Sequence, residues 1–160
     1  MHMITTNLER EMKVNTSRFG EISVEEPLII TLPDGMIGFE DCKRFVVLHQ
    51  DPKNPLKWFQ SLDDGALAFP IINPWDFKKD YSLSISDADA DFLHMDEDTP
   101  KIVFVVVTVP RNNPAAMTAN LLGPIVINPL RKIGKQVVLS DERYTTRHSI
   151  MEEIHMRSNR

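Results

Sequence analysis

Hydrophobic residues fall in short runs along this chain, and turn-forming residues separate the runs. The longest run, residues 102–109, is almost wholly apolar, rich in β-branched side chains, and has a proline on either side. This composition and length predict a strand buried on both faces, at the centre of a sheet, rather than a helix. A second apolar run, residues 125–127, ends at the turn signal Asn128-Pro129. We expect these two strands to form the middle of the fold.

Shorter apolar runs predict further strands. Residues 20–25 alternate between polar and apolar side chains, which is the period of a half-buried strand. Asp64-Gly65 separates two strand-like runs and predicts a hairpin. Apart from the two central strands, the predicted strands cover residues 20–25, 28–32, 45–48, 57–62, 66–72, 81–85 and 136–139.

Two stretches have the features of short helices. Residues 87–95 begin with acidic residues, and Ser86 or Asp87 can cap their first turn. Residues 144–154 carry Ile150, Met151 and Ile154 at helical spacing. Few helices and many short strands with frequent turns predict a mainly β fold. We expect a compact antiparallel β-barrel-like or split-barrel-like sandwich with two short helices.

The core and the domain limits follow from the same pattern. We expect one domain over residues 12–154, with residues 1–11 as an N-terminal extension, Met12 as an alternative start, and residues 155–160 as a frayed C-terminus. The predicted core residues are Phe59, Phe69, Val103, Val105, Val107, Leu121, Ile125, Ile127 and Val138.

Composition limits the class of protein. The chain has 160 residues, 42% of them hydrophobic, so it can bury a core of ordinary size. Its net charge of −5 disfavours direct nucleic-acid binding, which needs clustered Lys and Arg, and favours a basic partner. Cys42 is the only cysteine, which fits a reducing compartment. No apolar run approaches the roughly 20 residues of a membrane-spanning helix. We therefore expect a soluble, cytoplasmic protein that does not bind membranes. On its own the chain is expected to be a monomer.

Candidate metal sites are weak. Asp87, Asp89 and Asp91 suggest calcium, but Phe92 and Asp98 stand where a calcium loop needs glycine and glutamate. The alternative, which we favour, is the solvated start of a helix.

Residues for catalysis are also hard to find. His148, Glu152 and His155 have zinc-like spacing on the predicted second helix, but no HExxH pattern accompanies them, and chance spacing is the favoured interpretation. Cys42 has no evident base, and the chain lacks a phosphate-binding glycine loop. We predict no catalytic, cofactor-binding or metal-binding residues. The scattered aromatic residues leave a split-barrel flavin-binding enzyme as the alternative.

Five blocks of sequence form a recognisable pattern. They are residues 19–22 (Phe-Gly-Glu-Ile), 33–40 (Pro-Asp-Gly-Met-Ile-Gly-Phe-Glu), 59–62 (Phe-Gln-Ser-Leu), 120–128 (Asn-Leu-Leu-Gly-Pro-Ile-Val-Ile-Asn) and 134–139 (Gly-Lys-Gln-Val-Val-Leu). In this order and spacing, the blocks resemble the FliW family of flagellar assembly factors. The resemblance covers the chain from about Met12 to about Ile150, and the block at residues 120–128 is its most specific part.

The resemblance implies a β-barrel-like protein without catalytic activity or cofactor. It also implies a cytoplasmic partner switch that binds flagellin and the carbon storage regulator CsrA, an RNA-binding translational repressor. A factor that holds CsrA would relieve the repression of flagellin synthesis. Accumulating flagellin would then occupy the factor and release CsrA. The sequence does not indicate whether one surface serves both partners.

The family-signature positions in this chain are predicted to be structural. Asparagine side chains bond backbone groups at turns. Asn120 and Asn128, which bracket a predicted strand pair joined through Gly123-Pro124, are therefore expected to be structural. The alternative for Asn120 is a partner contact. The full set of signature positions is Gly35, Gly38, Phe39, Asn120, Pro124 and Asn128.

The candidate partner-binding surface is the densest patch of one charge. Residues 87–98 hold six carboxylates and no Lys or Arg: Asp87, Asp89, Asp91, Asp96, Glu97 and Asp98. One interpretation is a solvated helix and loop. The other is an electrostatic contact for CsrA, because an RNA-binding repressor must carry a basic surface. Reversing the charges of Asp89 and Asp91 would distinguish the two.

Overall fold

Eleven strands and two α-helices form the part of the chain that the structure, a computed structural model, describes, residues 10–158. The helices are α1 (Asp87–Phe92) and α2 (Ile150–Ser158), and short 3-10 turns lie at Glu26–Leu28, Pro74–Asp76 and Pro114–Ala116. The strands are β1 (Glu11–Thr16), β2 (Gly20–Glu25), β3 (Ile30–Thr31), β4 (Arg44–Leu48), β5 (Lys57–Ser61), β6 (Ala68–Ile72), β7 (Ile102–Thr108), β8 (Thr118–Ala119), β9 (Ile125–Asn128), β10 (Ile133–Gln136) and β11 (His148–Ser149).

Seven of these strands close into a barrel. Their order is β7-β6-β5-β4-β3-β10-β9, and β9 pairs back onto β7 with Ile102 opposite Ile127. Neighbouring strands are antiparallel except β3 and β10, which are parallel. The predicted class, a mainly β, barrel-like fold with two short helices, is confirmed. Closure leaves no sheet edge around the barrel, which protects a small all-β protein from edge-to-edge pairing.

Strand β7 lies at the centre, as its sequence predicts. Phe104 points into the barrel interior, where it packs in one cluster with Phe45, Phe59 and Ile125. Val105, on the opposite face, packs in a second cluster that includes Ile150 of α2. Both faces of β7 are therefore buried, which explains why its sequence is continuously apolar instead of alternating.

A separate hairpin covers part of the barrel. β1 and β2 form a two-stranded antiparallel sheet in which Glu11 pairs with Glu25. Val14 and Val24 of this hairpin pack against Val46 of the barrel. Within the predicted extension, residues 1–9 lie outside the described residues, whereas Glu11 already belongs to β1.

The predicted core is correct at most positions and wrong at Val138. Phe59, Val105, Leu121 and Ile125 are fully buried, and Phe69 is half-buried against Phe39 and Phe45. Val138 is 70% exposed, because Val137 turns inward there and Val138 lies on the opposite side of the extended chain.

Three predicted strands differ from the structure. Residues 81–85 form no strand, because side chains take their backbone hydrogen bonds: Trp75 Nε1 donates to Tyr81 O, and Ser82 N donates to Tyr144 Oη. The predicted strand over residues 136–139 instead spans Ile133–Gln136. Its partner β9 begins at Ile125, so the ladder ends where Gln136 faces Ile125. Residues 28–32 contribute only the two-residue β3, Ile30–Thr31, after a 3-10 turn.

The helix limits also differ from the prediction. α1 ends at Phe92 instead of continuing to Met95, because His94 adopts a left-handed φ of 56° that stops the helix. The second helix begins at Ile150 instead of Tyr144, since the chain before it pairs as β11 with β8. It continues to Ser158, beyond the predicted limit of Ile154.

Candidate functional site

The candidate site is the acidic surface, defined as Asp87, Asp89, Asp91, Asp96, Glu97 and Asp98 on α1 and the turn that follows it. Ser86 caps α1 as predicted: its side-chain oxygen accepts a hydrogen bond of 3.1 Å from the backbone N–H of Asp89. Asp87 and Asp89 lie in the first turn, where the helix dipole favours negative charge. Local sequence therefore determines where this surface begins.

Five of the six carboxylates are exposed, and Asp89 is the exception. The side chain of Asp89 is only 18% exposed, and its Oδ1 lies 2.6 Å from Nζ of Lys135 on β10. The same Lys135 nitrogen lies 5.0 Å from the centre of the Phe92 ring. Asp89 thus ties α1 to the barrel. The charge reversal at Asp89 would break this contact, so Asp87 and Asp91 are the better positions for the test.

The turn after α1 is held by its own side chains. Asp96 Oδ1 accepts hydrogen bonds from the backbone N–H of Asp98, at 2.9 Å, and from the Thr99 hydroxyl, at 3.0 Å. The N–H of Asp98, followed by the Thr99 hydroxyl, lowers the pKa of Asp96 below its usual range. These hydrogen bonds from Asp98 and Thr99 to the Asp96 carboxylate hold the turn in one shape.

Asn128, at the end of β9, connects α1 and the turn after it to the barrel. It is 1% exposed, and its Nδ2 donates to Leu93 O at 2.8 Å and to His94 O at 3.2 Å. Its Oδ1 accepts from the backbone N–H groups of Leu130, at 3.0 Å, and Arg131, at 3.3 Å. One side chain thereby bonds backbone groups at the end of α1 and in the turn after β9, and its bond to the Leu93 carbonyl is buried.

A concave region accompanies the exposed carboxylates. Its volume is about 650 Å³, and Ile85, Ala90 and Met95 contribute apolar walls beside Asp87 and Asp91. Lys101 also lines it, so the surface is not uniformly acidic. A basic partner that inserts an apolar side chain would fit this combination of charge and shape.

The signature corner at residues 33–40 is a compact turn. Gly35 and Gly38 both have left-handed φ values, of 67° and 88°. A Cβ at Gly35 would lie 2.7 Å from the Glu40 backbone, whereas one at Gly38 would meet nothing within 4 Å. Phe39 is 44% exposed and packs edge-on against Phe69 at 5.4 Å. The chain can make this close turn because both positions lack a side chain.

A second signature region meets this corner through Gln136. Asn120 Oδ1 accepts from the backbone N–H groups of Leu122, at 3.1 Å, and Gly123, at 3.0 Å. Gln136 Nε2 donates to Gly123 O, while its Oε1 accepts from the N–H of Ile37. Pro124 is buried. These contacts support a structural role for the signature positions, including Asn120. That role stays a prediction.

Two connections were absent from the sequence interpretation. Lys135 is the partner of Asp89, and Gln136 joins the two signature regions, but 46 and 99 residues separate their bonded partners along the chain. No local spacing could have indicated either pair. Both residues belong to the block at residues 134–139 that carries the family resemblance, but this block does not indicate their partners.

The histidine and carboxylate arrangement at the C-terminus differs from the one predicted. His148 lies on β11, not on the helix with Glu152 and His155. Its Nε2 lies 2.9 Å from Oε1 of Glu153, which also accepts a hydrogen bond of 3.1 Å from Lys78 Nζ. Within the described part of the chain, no group of three or more His, Cys, Asp or Glu side chains is placed to hold a metal ion. No described helix is sufficiently long and apolar to cross a membrane.

A closed seven-strand barrel, with an ordered acidic segment fixed to its outside, defines the class of fold. The FliW family model, described as FliW protein, matches residues 13–150. The chain therefore belongs to the FliW family of flagellar assembly factors.

Similar proteins agree along most of the chain. The flagellar assembly factor FliW of Syntrophus aciditrophicus is 43% identical over 141 residues, covering 88% of this chain and 89% of that protein. Its counterpart from Thermosipho africanus is 38% identical, covering 88% of this chain and 97% of that protein. A crystal structure of the flagellar assembly factor FliW superposes with a TM-score of 0.79 at 31% identity, covering 87% of this chain and 96% of that one.

Proposed function

We propose that this flagellar assembly factor acts in the cytoplasm as a partner switch that binds flagellin and a CsrA-type RNA-binding repressor. In its flagellin-free form it sequesters the repressor and so relieves repression of flagellin synthesis. Membership of the FliW family over residues 13–150 is the observation that carries this proposal. The chain acts as a monomer and uses protein–protein contacts, without catalysis, cofactor or direct binding of nucleic acid.

The acidic surface is the proposed contact for the repressor. An RNA-binding protein neutralises phosphates with Lys and Arg, so its RNA-binding face is basic. Asp87, Asp91 and Glu97 are exposed on a segment that Asn128 and Asp89 hold in one position. Fixed charges of one sign accelerate encounter with a basic protein and orient it. The apolar walls of the neighbouring concave region add contact area once the two proteins meet.

Flagellin is proposed to use a more apolar surface. A subunit that polymerises carries apolar area that assembly later buries, and a factor that binds the free subunit has to cover some of it. The two partners therefore differ in the contacts they require. Accumulating flagellin releases the repressor either by overlap of the two bound proteins or by a change in this chain.

Purified components test this proposal. Isothermal titration of the chain with flagellin and, separately, with the CsrA-type repressor of the same organism should give one saturable binding event each. Adding flagellin to the preformed repressor complex should release repressor that regains binding to the leader region of the flagellin message. Absence of binding to both proteins would refute the proposal. Formation of a stable ternary complex with the repressor still bound would refute the switch.

A further inference from the structure

An apolar groove opens at one end of the barrel. β4 ends there, β5 and β7 begin there, and β9 ends there, as the register of Leu48 opposite Trp58 and Ile102 opposite Ile127 requires. The groove has a volume of about 250 Å³. Its walls include Leu28, Ile30, Ile102, Phe104 and Ile127. Three of these side chains, those of Ile30, Phe104 and Ile127, belong to the barrel core, so the groove reaches directly into the interior cluster.

The apolar residues at its edge are unusually exposed. Leu28 is 57% exposed and Ile102 is 41% exposed. Leu130, 74% exposed, lies in the same β9–β10 turn as Pro129 and Lys132, which line the groove. Mouths of β-barrels are frequent binding sites, and contiguous exposed apolar area on a small protein marks a contact surface.

The rim of the groove carries positive charge on an acidic protein. Lys57 and Lys132 line the groove, and no Asp or Glu is among its described lining residues. Within residues 10–156, neither lysine has a carboxylate within ion-pair distance. Lys57 Nζ lies 5.9 Å from the centre of the Phe104 ring, directly above the apolar wall. The site is thus complementary to an apolar group with a neighbouring negative charge.

Backbone strain at Lys132 is a second, independent feature of this rim. Lys132 has a left-handed φ of 55°, in a turn where glycine or asparagine would be less strained. Its Nζ donates to Pro129 O at 2.8 Å, and its own carbonyl accepts from the N–H of Thr31. Strain of this kind concentrates at functional positions, because a selected side chain can outweigh its conformational cost.

We propose that the barrel-mouth groove receives an apolar anchor side chain of flagellin, with an acidic residue beside it that pairs with Lys57 and Lys132. The groove volume suits one or two large side chains, not a folded domain, so the anchor belongs to a protruding segment. This inference rests on the proposed function for the identity of the partner. It adds the surface and the chemistry of the recognised segment, and it separates the flagellin contact from the acidic surface.

Paired variants test the groove in titrations with purified flagellin. Leu28→Asp should weaken flagellin binding about tenfold or more, since it places a charge in the apolar contact. Met156→Asp is the matched control, because Met156 on α2 is also 57% exposed but does not line the groove. Ile102→Ser provides a second, milder groove variant in case Leu28→Asp alters the fold, which circular dichroism would reveal.

The lysines are tested by substitutions that should weaken flagellin binding without lowering the stability of the fold. Lys132→Gly relieves the left-handed φ, so its unfolding temperature should not fall. Combined with Lys57→Gln, it should weaken flagellin binding about three- to tenfold and flatten the salt dependence. The repressor should bind all groove variants like the unaltered chain.

Each outcome of these titrations decides between the proposals. Unaltered flagellin affinity in Leu28→Asp and Ile102→Ser would overturn the groove assignment while leaving the proposed function intact. Failure of the unaltered chain to bind flagellin would overturn both. A concentration-dependent dimer in size-exclusion chromatography that Leu28→Asp abolishes would show that a second copy of the chain occupies the groove, and would also refute it.

Discussion

The side-chain amide of Asn128 lies 2.8 Å from the carbonyl oxygen of Leu93, and through this bond the end of β9 holds the end of α1. Leu93 itself is fully buried against Val103 and Val126. The backbone that carries the carboxylates on either side of Leu93 is therefore held in one position. A family-signature asparagine and the candidate repressor surface form one mechanical unit, although 35 residues separate Asn128 and Leu93 in the chain.

Replacing Asn128 should loosen this unit. Asn128→Asp keeps an acceptor for the Leu130 and Arg131 N–H groups but removes the donor to Leu93 and His94 and buries a charge. We expect a loss of about 1–3 kcal/mol in the free energy of unfolding, because the buried Leu93 carbonyl loses its hydrogen-bond donor. Urea unfolding measures it. Asn120→Ala, at a half-buried site, should cost less, and the opposite order would contradict the structural role of Asn128.

The two signature glycines should respond unequally to alanine. Both have left-handed φ values, so Gly38→Ala should cost about 1–2 kcal/mol for backbone strain alone. Gly35→Ala adds a clash with the Glu40 backbone and should cost clearly more. Thermal unfolding of both variants gives the comparison. Equal losses would show that the corner relaxes and that the close approach to Glu40 is unimportant.

Some strand positions followed from the sequence, although those of β1, β8 and β11 did not. Residues 20–25 and 102–108 are examples, because alternation and continuous apolar character report one buried face and two buried faces directly. Residues 81–85 alternate equally well but bond to the side chains of Trp75 and Tyr144, which no local pattern reveals.

The candidate site could be predicted only in part, because its contacts between distant residues leave no local pattern in the sequence. The acidic run and its Ser86 cap are local and could be predicted. The pairing of Asp89 with Lys135 and the bond from Asn128 to Leu93 depend on the closed barrel, which brings β9 and β10 beneath α1. The barrel-mouth groove is lined by residues from five strands and from the turns between strands. Sequence spacing therefore does not indicate it.

Core depth should separate Phe59 from Val138. Phe59 is fully buried and stacks on Phe45 with ring centres 4.4 Å apart. Phe59→Ala should therefore lower the free energy of unfolding by about 3–5 kcal/mol, whereas exposed Val138→Ala should change it by less than about 0.5 kcal/mol. Chemical denaturation measures both. A large loss at Val138 would show that another surface covers this residue in solution.

The contacts of Glu153 on α2 with Lys78 and His148 should stabilise the fold less in acid. Burial raises the pKa of Glu153, but hydrogen bonds from Lys78 and His148 and their positive charges outweigh burial and lower it below the usual 4.5. A lowered pKa in the folded state contributes stability above pH 4.5 that disappears as the pH falls. The wild type should therefore exceed Glu153→Gln in unfolding temperature at pH 7, and the difference should shrink below pH 4.5. If the difference in unfolding temperature between the two proteins stayed constant from pH 7 to pH 3, ionisation of Glu153 would not be the cause of the pH dependence.

Charge reversal on the acidic surface is the most direct test of the repressor contact. Asp87 and Asp91 are exposed, whereas Asp89 is committed to Lys135, so the double variant is Asp87→Lys with Asp91→Lys. The double variant changes the net charge from −5 to −1, since each reversal adds two positive charges. Exposed charges act mainly on encounter, so association with CsrA should slow and lose much of its salt dependence, while dissociation changes less.

The matched control separates local from overall charge. Glu21→Lys with Glu25→Lys makes the same change in net charge on two exposed positions of β2. If the acidic surface is the contact, stopped-flow association at low and high salt should be much slower for the α1 variant than for the β2 variant. Flagellin, which is proposed to bind at the barrel mouth, should bind the α1 variant like the wild type. Equal slowing in the two variants would mean that the repressor responds only to net charge, and α1 would then be a solvated helix with no partner.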